Sequence, residues 1–191
     1  RTFCGHPLPD GMKKNQALER AILTPSTKAE KGGHDESLSR DELLRRGILD
    51  EATFDEAAGI AARLFAFGQE RARQRGLILA DTKYEMGVDA TGEIVVIDEI
   101  HTPDSSRIWD AESHARSPKD AEPLDKEYVR AYMLEERERT GHFPLLLPPR
   151  VIDETRARYT DLFHRVTGLS LSRAPDPAAS TPTSPERPPA G

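Results

Sequence analysis

Three charged residues in the middle of the chain have types and a spacing suited to metal or phosphate chemistry. Asp81, Lys83 and Glu85 lie two residues apart in the segment 81–87 (DTKYEMG). Because alternate residues of a β-strand share a face, an extended conformation would project all three side chains to the same side. The preceding apolar residues 77–80 (LILA) are typical of a strand buried on both faces.

A second apolar segment, 94–97 (IVVI), leads into two further carboxylates, Asp98 and Glu99. The turn signal at residues 89–92 (DATG) predicts that the two apolar segments pair as a β-hairpin. If the turn centres on its two middle residues, Asp98 lies opposite Lys83, whereas a slip of one residue would place Glu99 there. This second segment also lacks alternation, so it too is expected to be buried on both faces.

Carboxylates grouped around one lysine on a sheet face repel one another unless a cation lies among them. Magnesium prefers oxygen ligands and is usually held by one or two carboxylates together with substrate phosphates. The pattern therefore suggests a magnesium site on the hairpin, with the lysine directed to phosphate oxygens. Alternating charges are also ordinary on the solvated face of a strand, so a structural interpretation stays open.

The segment after the hairpin, residues 101–107 (HTPDSSR), has the composition of an anion-binding loop. It places the small hydroxyl donors Ser105 and Ser106 beside Asp104 and ends in Arg107. A guanidinium can make a forked contact with phosphate or carboxylate. The alternative is a solvated turn with a surface arginine, and the sequence does not decide between the two.

The sequence contains no motif typical of a catalytic nucleophile or of a nucleotide-binding loop. A polar cluster at residues 34–36 (HDE) has no serine or cysteine in a nucleophile-elbow context, so a hydrolase triad is unsupported. The single cysteine, Cys4, gives no case for a nucleophile and cannot form an internal disulfide. Neither a Walker loop nor a G-x-G-x-x-G motif occurs.

The overall charge also limits the partners. The 191 residues carry a formal net charge of -6, which gives no global attraction for nucleic acid or an anionic membrane, and neither is expected as a partner. There is no apolar run long enough to span a bilayer and no secretory signal pattern, so the cytoplasm is the expected location.

Capping boxes, apolar stripes at helical spacing and glycine stops predict four helices around the hairpin, and hence an α+β fold. Their expected limits are Ser39 to Gly47, Thr53 to Gly76, residues 124–139 and residues 151–167. Residues 1–38 are expected to be rich in loops, and residues 101–123 to be irregular.

The chain changes character near its end. Residues 172–191 combine many prolines with Ser, Thr and Ala, and such a segment cannot bury enough apolar surface to become ordered. We therefore expect one domain over residues 1–171 and a disordered tail over residues 172–191. The chain begins with Arg1, and its opening segment reads like the middle of a protein, so the domain is expected to be incomplete at its N-terminus.

Several segments, in order, resemble the SAICAR synthetases, and one of them, residues 79–87, resembles the family's second signature motif. They are residues 24–29 (TPSTKA), 34–36 (HDE), 79–87 (LADTKYEMG), 98–99 (DE), 102–109 (TPDSSRIW), 124–130 (LDKEYVR) and 151–159 (VIDETRARY). The likeness covers about residues 1 to 169. Met86 stands where the family usually has phenylalanine, an exchange between two apolar side chains.

The resemblance implies an ATP-dependent ligase of purine biosynthesis that joins L-aspartate to a carboxylated aminoimidazole ribotide through an acyl phosphate. It implies Mg²⁺ as cofactor, ATP as co-substrate and small molecules as the partners, and leaves the oligomeric state open, a homo-oligomer included. The fold implied is the larger, C-terminal lobe of a two-lobed fold of the ATP-grasp or kinase-like kind. The family's N-terminal lobe, with its first signature motif, is absent from this sequence.

The resemblance also implies a role for each site residue. Glu85 and Asp98 would hold magnesium, Asp81 would lie beside the metal, and Lys83 would face the reacting phosphate and carboxylate. Arg107 would bind the ribotide phosphate. The other residues of the substrate cleft would be Lys28, Asp35, Asp104, Ser105 and Ser106. Two alternatives remain, a catalytically inactive fragment that serves as a structural or interaction module, and a metal-binding domain of another ATP-dependent ligase.

Overall fold

The computed structural model describes residues 1–28 and 35–171. In these ranges the helices are α1 (Arg40–Arg45), α2 (Glu51–Arg73), α3 (Ala111–Arg116), α4 (Glu127–Thr140) and α5 (Pro149–Thr167). The strands are β1 (Thr2–Phe3), β2 (His6–Pro7), β3 (Leu77–Thr82), β4 (Met86–Val88), β5 (Ile94–Val96) and β6 (Ser106–Asp110). They form three antiparallel pairs, β1–β2, β3–β6 and β4–β5, so the predicted α+β class is confirmed.

The predicted tail, residues 172–191, lies outside the described residues, as does the segment 29–34 with His34 of the polar cluster. The division into one domain and a tail therefore stays a prediction. No helix in the described part of the chain is both long and apolar enough to cross a membrane.

The helix ends follow local capping chemistry. Helix α1 begins as predicted, because the Ser39 hydroxyl accepts the backbone N–H of Glu42 at 3.2 Å. Helix α2 begins earlier than predicted, at the cap residue Asp50, whose carboxylate accepts the N–H of Thr53 at 2.9 Å. The Thr53 hydroxyl donates to the same carboxylate at 2.7 Å, so Thr53 supports the cap instead of forming it.

The predicted limits of the later helices are partly right. Helix α5 ends where Gly168 takes a left-handed φ of 74°, in agreement with the sequence. Helix α4 begins at Glu127, later than predicted. Residues 101–123 are not irregular throughout, because they contain strand β6, helix α3 and the 3₁₀ turn Pro118–Asp120.

The predicted pairing of segment 77–80 with segment 94–97 is wrong. Strand β3 pairs with β6, with Leu79 opposite Ile108, and the hairpin is instead formed by β4 and β5, with Met86 opposite Val96. Burial accounts for this choice, because Leu79 and Ile108 are 3% and 5% exposed and share one apolar cluster.

The hairpin itself is only partly covered. Val88 of β4 is 62% exposed. Ile97 of the segment 94–97 is 61% exposed, so the expectation of burial on both faces fails for this second apolar segment. Its register also differs by one residue from the predicted one, since the Ile97 N–H donates to the Glu85 carbonyl at 3.0 Å. A continued ladder would bring Glu99 opposite Lys83, the alternative that the sequence left open.

The main core places the site. Its buried members come from β3, β6, the segment before α4, and α5, and they are Leu77, Leu79, Ile108, Leu124 and Leu162. Phe65 and Ala72 of α2 pack against them. A second buried cluster joins α1 to the start of α2 through Leu38, Leu43 and Phe54. The β3–β6 pair is thus held between helices, and the charged segments lie at its end, where β3 stops and β6 begins.

Candidate functional site

Four charged residues from three separate segments meet beyond the end of β3. Glu85 lies at the centre, with its carboxylate 2.6 Å from Lys28 Nζ and 2.9 Å from Lys83 Nζ. Lys83 Nζ is also 3.9 Å from the Asp35 carboxylate. These four residues form what we call the lysine–carboxylate cluster, which unites Lys83 and Glu85 with Lys28 and Asp35, two of the cleft residues implied by the resemblance.

The opposite charges of the cluster stabilise one another in their ionised forms. Hydrogen bonds from Lys28 and Lys83 lower the pKa of Glu85 to about 2. The pKa of Lys83 is raised, mainly by its hydrogen bond to Glu85, and the charges of Asp35 and Asp98 add to the effect. The charge of Asp98 therefore acts on Lys83, although Asp98 is not paired with Lys83 in the ladder. The side chain of Lys83 is 57% exposed, so the cluster is open to ligands.

Acidification should weaken the cluster in a defined range of pH. A carboxyl whose folded-state pKa lies near 2 and whose usual value is 4.5 contributes stability above about pH 4.5, and loses that contribution as the pH falls toward 2. We expect the difference in Tm between the wild-type chain and Glu85→Gln to be constant from pH 7 to 5 and to shrink below 4.5. A difference that stays constant down to pH 3 would contradict the role of Glu85 as an ionised partner of the lysines.

Asp81 has a different partner from the one its spacing suggested. Its carboxylate lies 2.8 Å from Arg107 Nη1, directly across the β3–β6 ladder. Because β3 has an irregularity between Leu79 and Asp81 and ends at Thr82, the segment is not one regular strand carrying all three charges on one face. Asp81 and Arg107 are both well exposed, and together they form a second ion pair beside the cluster.

The loop before β6 is ordered by its own hydroxyl groups. The Thr102 hydroxyl accepts the backbone N–H groups of Asp104 and Ser105 at 3.2 and 3.1 Å. Ser106 is 5% exposed, and its hydroxyl lies 2.8 Å from that of Thr82 and 3.2 Å from that of Ser105. Of the residues predicted to bind an anion here, Arg107 is accessible and Ser106 faces inward.

Residues just before α4, which the sequence does not single out as site residues, also hold this loop through hydrogen bonds. The Lys126 N–H donates to the Pro103 carbonyl at 3.1 Å, and its ammonium group donates to the Asp104 carbonyl. Asp125 is 2% exposed and accepts the N–H groups of Ile108 and Glu127, both at 2.7 Å. An aspartate just ahead of a helix is a capping signal, and that signal would have identified Asp125.

The donor set agrees with magnesium but not with a metal bound by protein groups alone. No group of three His, Cys, Asp or Glu side chains that could hold a metal ion exists within residues 1–28 and 35–171. Glu85 and Asp98, whose charges both act on Lys83, offer only carboxylate oxygens. Magnesium typically combines one or two carboxylates with substrate phosphates, so these two residues fit it only together with a phosphate ligand.

Comparison with known proteins gives one consistent family. Residues 2–143 match the family model described as SAICAR synthetase. A putative phosphoribosylaminoimidazole-succinocarboxamide synthase 2 of Mesorhizobium japonicum is 40% identical over 184 residues, which cover 95% of this chain and 58% of the relative. The chloroplastic phosphoribosylaminoimidazole-succinocarboxamide synthase of Arabidopsis thaliana is 44% identical over 179 residues, 92% of this chain and 43% of the relative.

Solved structures agree with these relatives. The SAICAR synthase of Saccharomyces cerevisiae in complex with SAICAR has a TM-score of 0.73 and 31% identity, over 90% of this chain and 54% of that one. A type-2 SAICAR synthetase in complex with ADP has a TM-score of 0.60 and 27% identity, over 87% of this chain and 57% of that one. The chain thus spans little more than half the length of these proteins.

Proposed function

The chain belongs to the SAICAR synthetase family, and from this premise we propose that it forms the substrate-facing lobe of an ATP-dependent ligase. The reaction joins L-aspartate to the carboxylated aminoimidazole ribotide and yields SAICAR, ADP and phosphate. We also infer that the chain corresponds to the larger of two lobes. The observation that carries the proposal is the lysine–carboxylate cluster lying beside the exposed Asp81–Arg107 pair.

The chemistry explains why lysines are needed. A carboxylate has no leaving group, so the terminal phosphoryl group of ATP is first transferred to the ribotide carboxylate, with release of ADP. The amine of aspartate then attacks the acyl carbon, phosphate departs with the C–O bond electrons, and the amine proton is lost. In the first step two anions approach each other, and the ammonium groups of Lys83 and Lys28 would offset that repulsion.

The carboxylates have complementary roles. Glu85 orients both lysines, since it contacts each of them within 3 Å. Magnesium bound by Glu85 and Asp98 would neutralise charge on the nucleotide phosphates. The relative solved with ADP supports ATP as the co-substrate, and the relative solved with SAICAR supports the ribotide class.

Arg107 is the proposed ligand of the ribotide phosphate. Arg107 Nη1 donates to the Asp81 carboxylate at 2.8 Å, and the other N–H donors of the guanidinium are proposed to bind phosphate oxygens. Ser105, Asp104 and the Thr102 turn lie next to Arg107 in the chain, and they are proposed to line the ribotide side of the cleft.

Titration of SAICAR into the purified chain, followed by calorimetry, tests this assignment. We expect saturable binding of SAICAR and much weaker binding of L-aspartate, because aspartate lacks the ribotide phosphate. Failure of the folded chain to bind SAICAR at millimolar concentration would argue against the proposal and favour an inactive structural module.

Arg107→Lys should weaken SAICAR binding by about tenfold, because the charge is kept while the forked contact is lost. The matched control is Arg116→Lys on α3, which changes an exposed arginine in an ion pair with Glu112. Equal affinities for the two variants would show that Arg107 is only a structural partner of Asp81.

A further inference from the structure

Two residues without a part in the proposed chemistry bridge the segments that carry it. Tyr84 lies between Lys83 and Glu85, and His101 directly precedes the turn that begins at Thr102. The Tyr84 hydroxyl and His101 Nε2 are 2.5 Å apart. Their rings meet edge to face, with centroids 5.6 Å apart and an interplanar angle of 64°.

The His101 ring also lies directly against Gly68 of α2. A Cβ atom at position 68 would be 2.3 Å from His101 Cε1 and 2.7 Å from each ring nitrogen, far inside van der Waals contact. Glycine within a helix is unfavourable relative to alanine, so this close approach gives a physical reason for it here. Gly59 of the same helix has no such reason, since a Cβ there would meet only the Arg63 side chain, at 3.4 Å.

The backbone of His101 is held in an uncommon conformation. Its φ is 54°, in the left-handed region that residues other than glycine rarely adopt. Such a conformation persists where the surrounding contacts over-determine it, and here those contacts are Tyr84 and Gly68. Burial lowers the pKa of His101 and raises that of Tyr84 to about 12, so a hydrogen bond between two neutral groups is favoured near pH 7.

We propose that the Tyr84–His101 contact, seated on Gly68, positions the cluster-bearing segment 83–85 relative to the Thr102 turn and Arg107. The two segments adjoin the end of the β3–β6 ladder, where Thr82 pairs with Ser106, and beyond it the Lys83 N–H donates to the Ser105 carbonyl at 3.1 Å. The side-chain contact adds a further link beyond the ladder and ties both segments to α2. Tyr84 and His101 are therefore positioning residues, and this inference rests on the proposed function for the identity of the ligand.

The test compares Gly68→Ala with Gly59→Ala by amide hydrogen exchange and by SAICAR titration. In Gly68→Ala the added methyl group displaces the His101 ring. Exchange should become about tenfold faster at the hydrogen-bonded amides of Lys83, Thr102 and residues 104–106, with the amides of α5 unchanged, and SAICAR affinity should fall by about tenfold. Gly59→Ala should keep wild-type exchange and affinity.

Tyr84→Phe removes only the hydroxyl, and it tests the same contact if Gly68→Ala fails to fold. It should accelerate exchange at the same amides while Tm stays within about two degrees of wild type. The double variant Gly68→Ala with His101→Asn relieves the clash and, because asparagine tolerates a left-handed φ, should recover Tm. It should not recover slow exchange or SAICAR affinity, since the contact with Tyr84 is gone.

The outcomes separate this inference from the proposed function. Unchanged exchange in Tyr84→Phe, or a uniform increase over the whole chain in Gly68→Ala, would overturn the positioning role. Recovery of slow exchange in the double variant would also overturn it, because the effect would then belong to the clash alone. If the exchange changes are localised but the chain does not bind SAICAR, the positioning role of the Tyr84–His101 contact is supported and the proposed ligand is rejected.

Discussion

The purified 191-residue chain is expected to form SAICAR at least about five orders of magnitude more slowly than a full-length relative under the same conditions. The chain covers 58% of the Mesorhizobium japonicum relative, and phosphoryl transfer depends on holding donor and acceptor in line. Positioning contributes roughly 7–11 kcal/mol to such reactions, and each 1.36 kcal/mol corresponds to about a tenfold change in rate. An assay with ATP, L-aspartate and the carboxylated ribotide, following ADP and SAICAR, measures the difference.

A chimaera provides the control for this result. Residues 1–171 of the chain would replace the matching part of the Mesorhizobium japonicum relative, so that the remainder of that protein is supplied in place. Turnover by the chimaera together with inactivity of the chain alone would assign the loss to the missing part. Turnover by the chain alone within tenfold of the relative would contradict the prediction and would mean that these residues hold the nucleotide as well.

In the same chimaera, Lys83→Gln should lower kcat by about a hundredfold to a thousandfold, the range observed when one preorganised donor to developing charge is removed. The KM for aspartate should change little, because Lys83 is proposed to act on the transferring phosphoryl group. The physical basis is the position of its ammonium group, which lies 2.9 Å from the Glu85 carboxylate and 3.9 Å from the Asp35 carboxylate.

The matched control is Lys119→Gln, which changes an exposed lysine in the 3₁₀ turn Pro118–Asp120. It should leave both kcat and KM unchanged. An unchanged kcat in Lys83→Gln, with Tm lowered instead, would show that Lys83 serves only as a structural partner of Glu85.

The sequence by itself determined the features that depend on neighbouring residues. The cap at Ser39, the glycine end of α5 and the turn between β4 and β5 are local, since each is decided by groups within a few residues. The family motifs also lie in continuous segments, and they identified the members of the lysine–carboxylate cluster. Asp50 was missed as the cap of α2 because Thr53 gave the more familiar capping pattern.

Only the tertiary structure decided how distant segments combine. Strand β3 pairs with β6 because Leu77, Leu79 and Ile108 are buried in the same core, and apolar periodicity cannot reveal which of two apolar partners a strand will choose. That choice placed Asp81 opposite Arg107 and left Lys83 and Glu85 beyond the ladder.

The packing of the His101 ring against Gly68 likewise could not be predicted from the sequence. The two residues are far apart in the chain, and a glycine inside an amphipathic helix looks like one more member of the apolar stripe. Which residue occupies the space that a Cβ atom at position 68 would need depends on the packing of α2 against the segments that follow β3 and β5. Local interactions are encoded by adjacent residues, whereas the alignment of the site's segments follows from how the whole core closes.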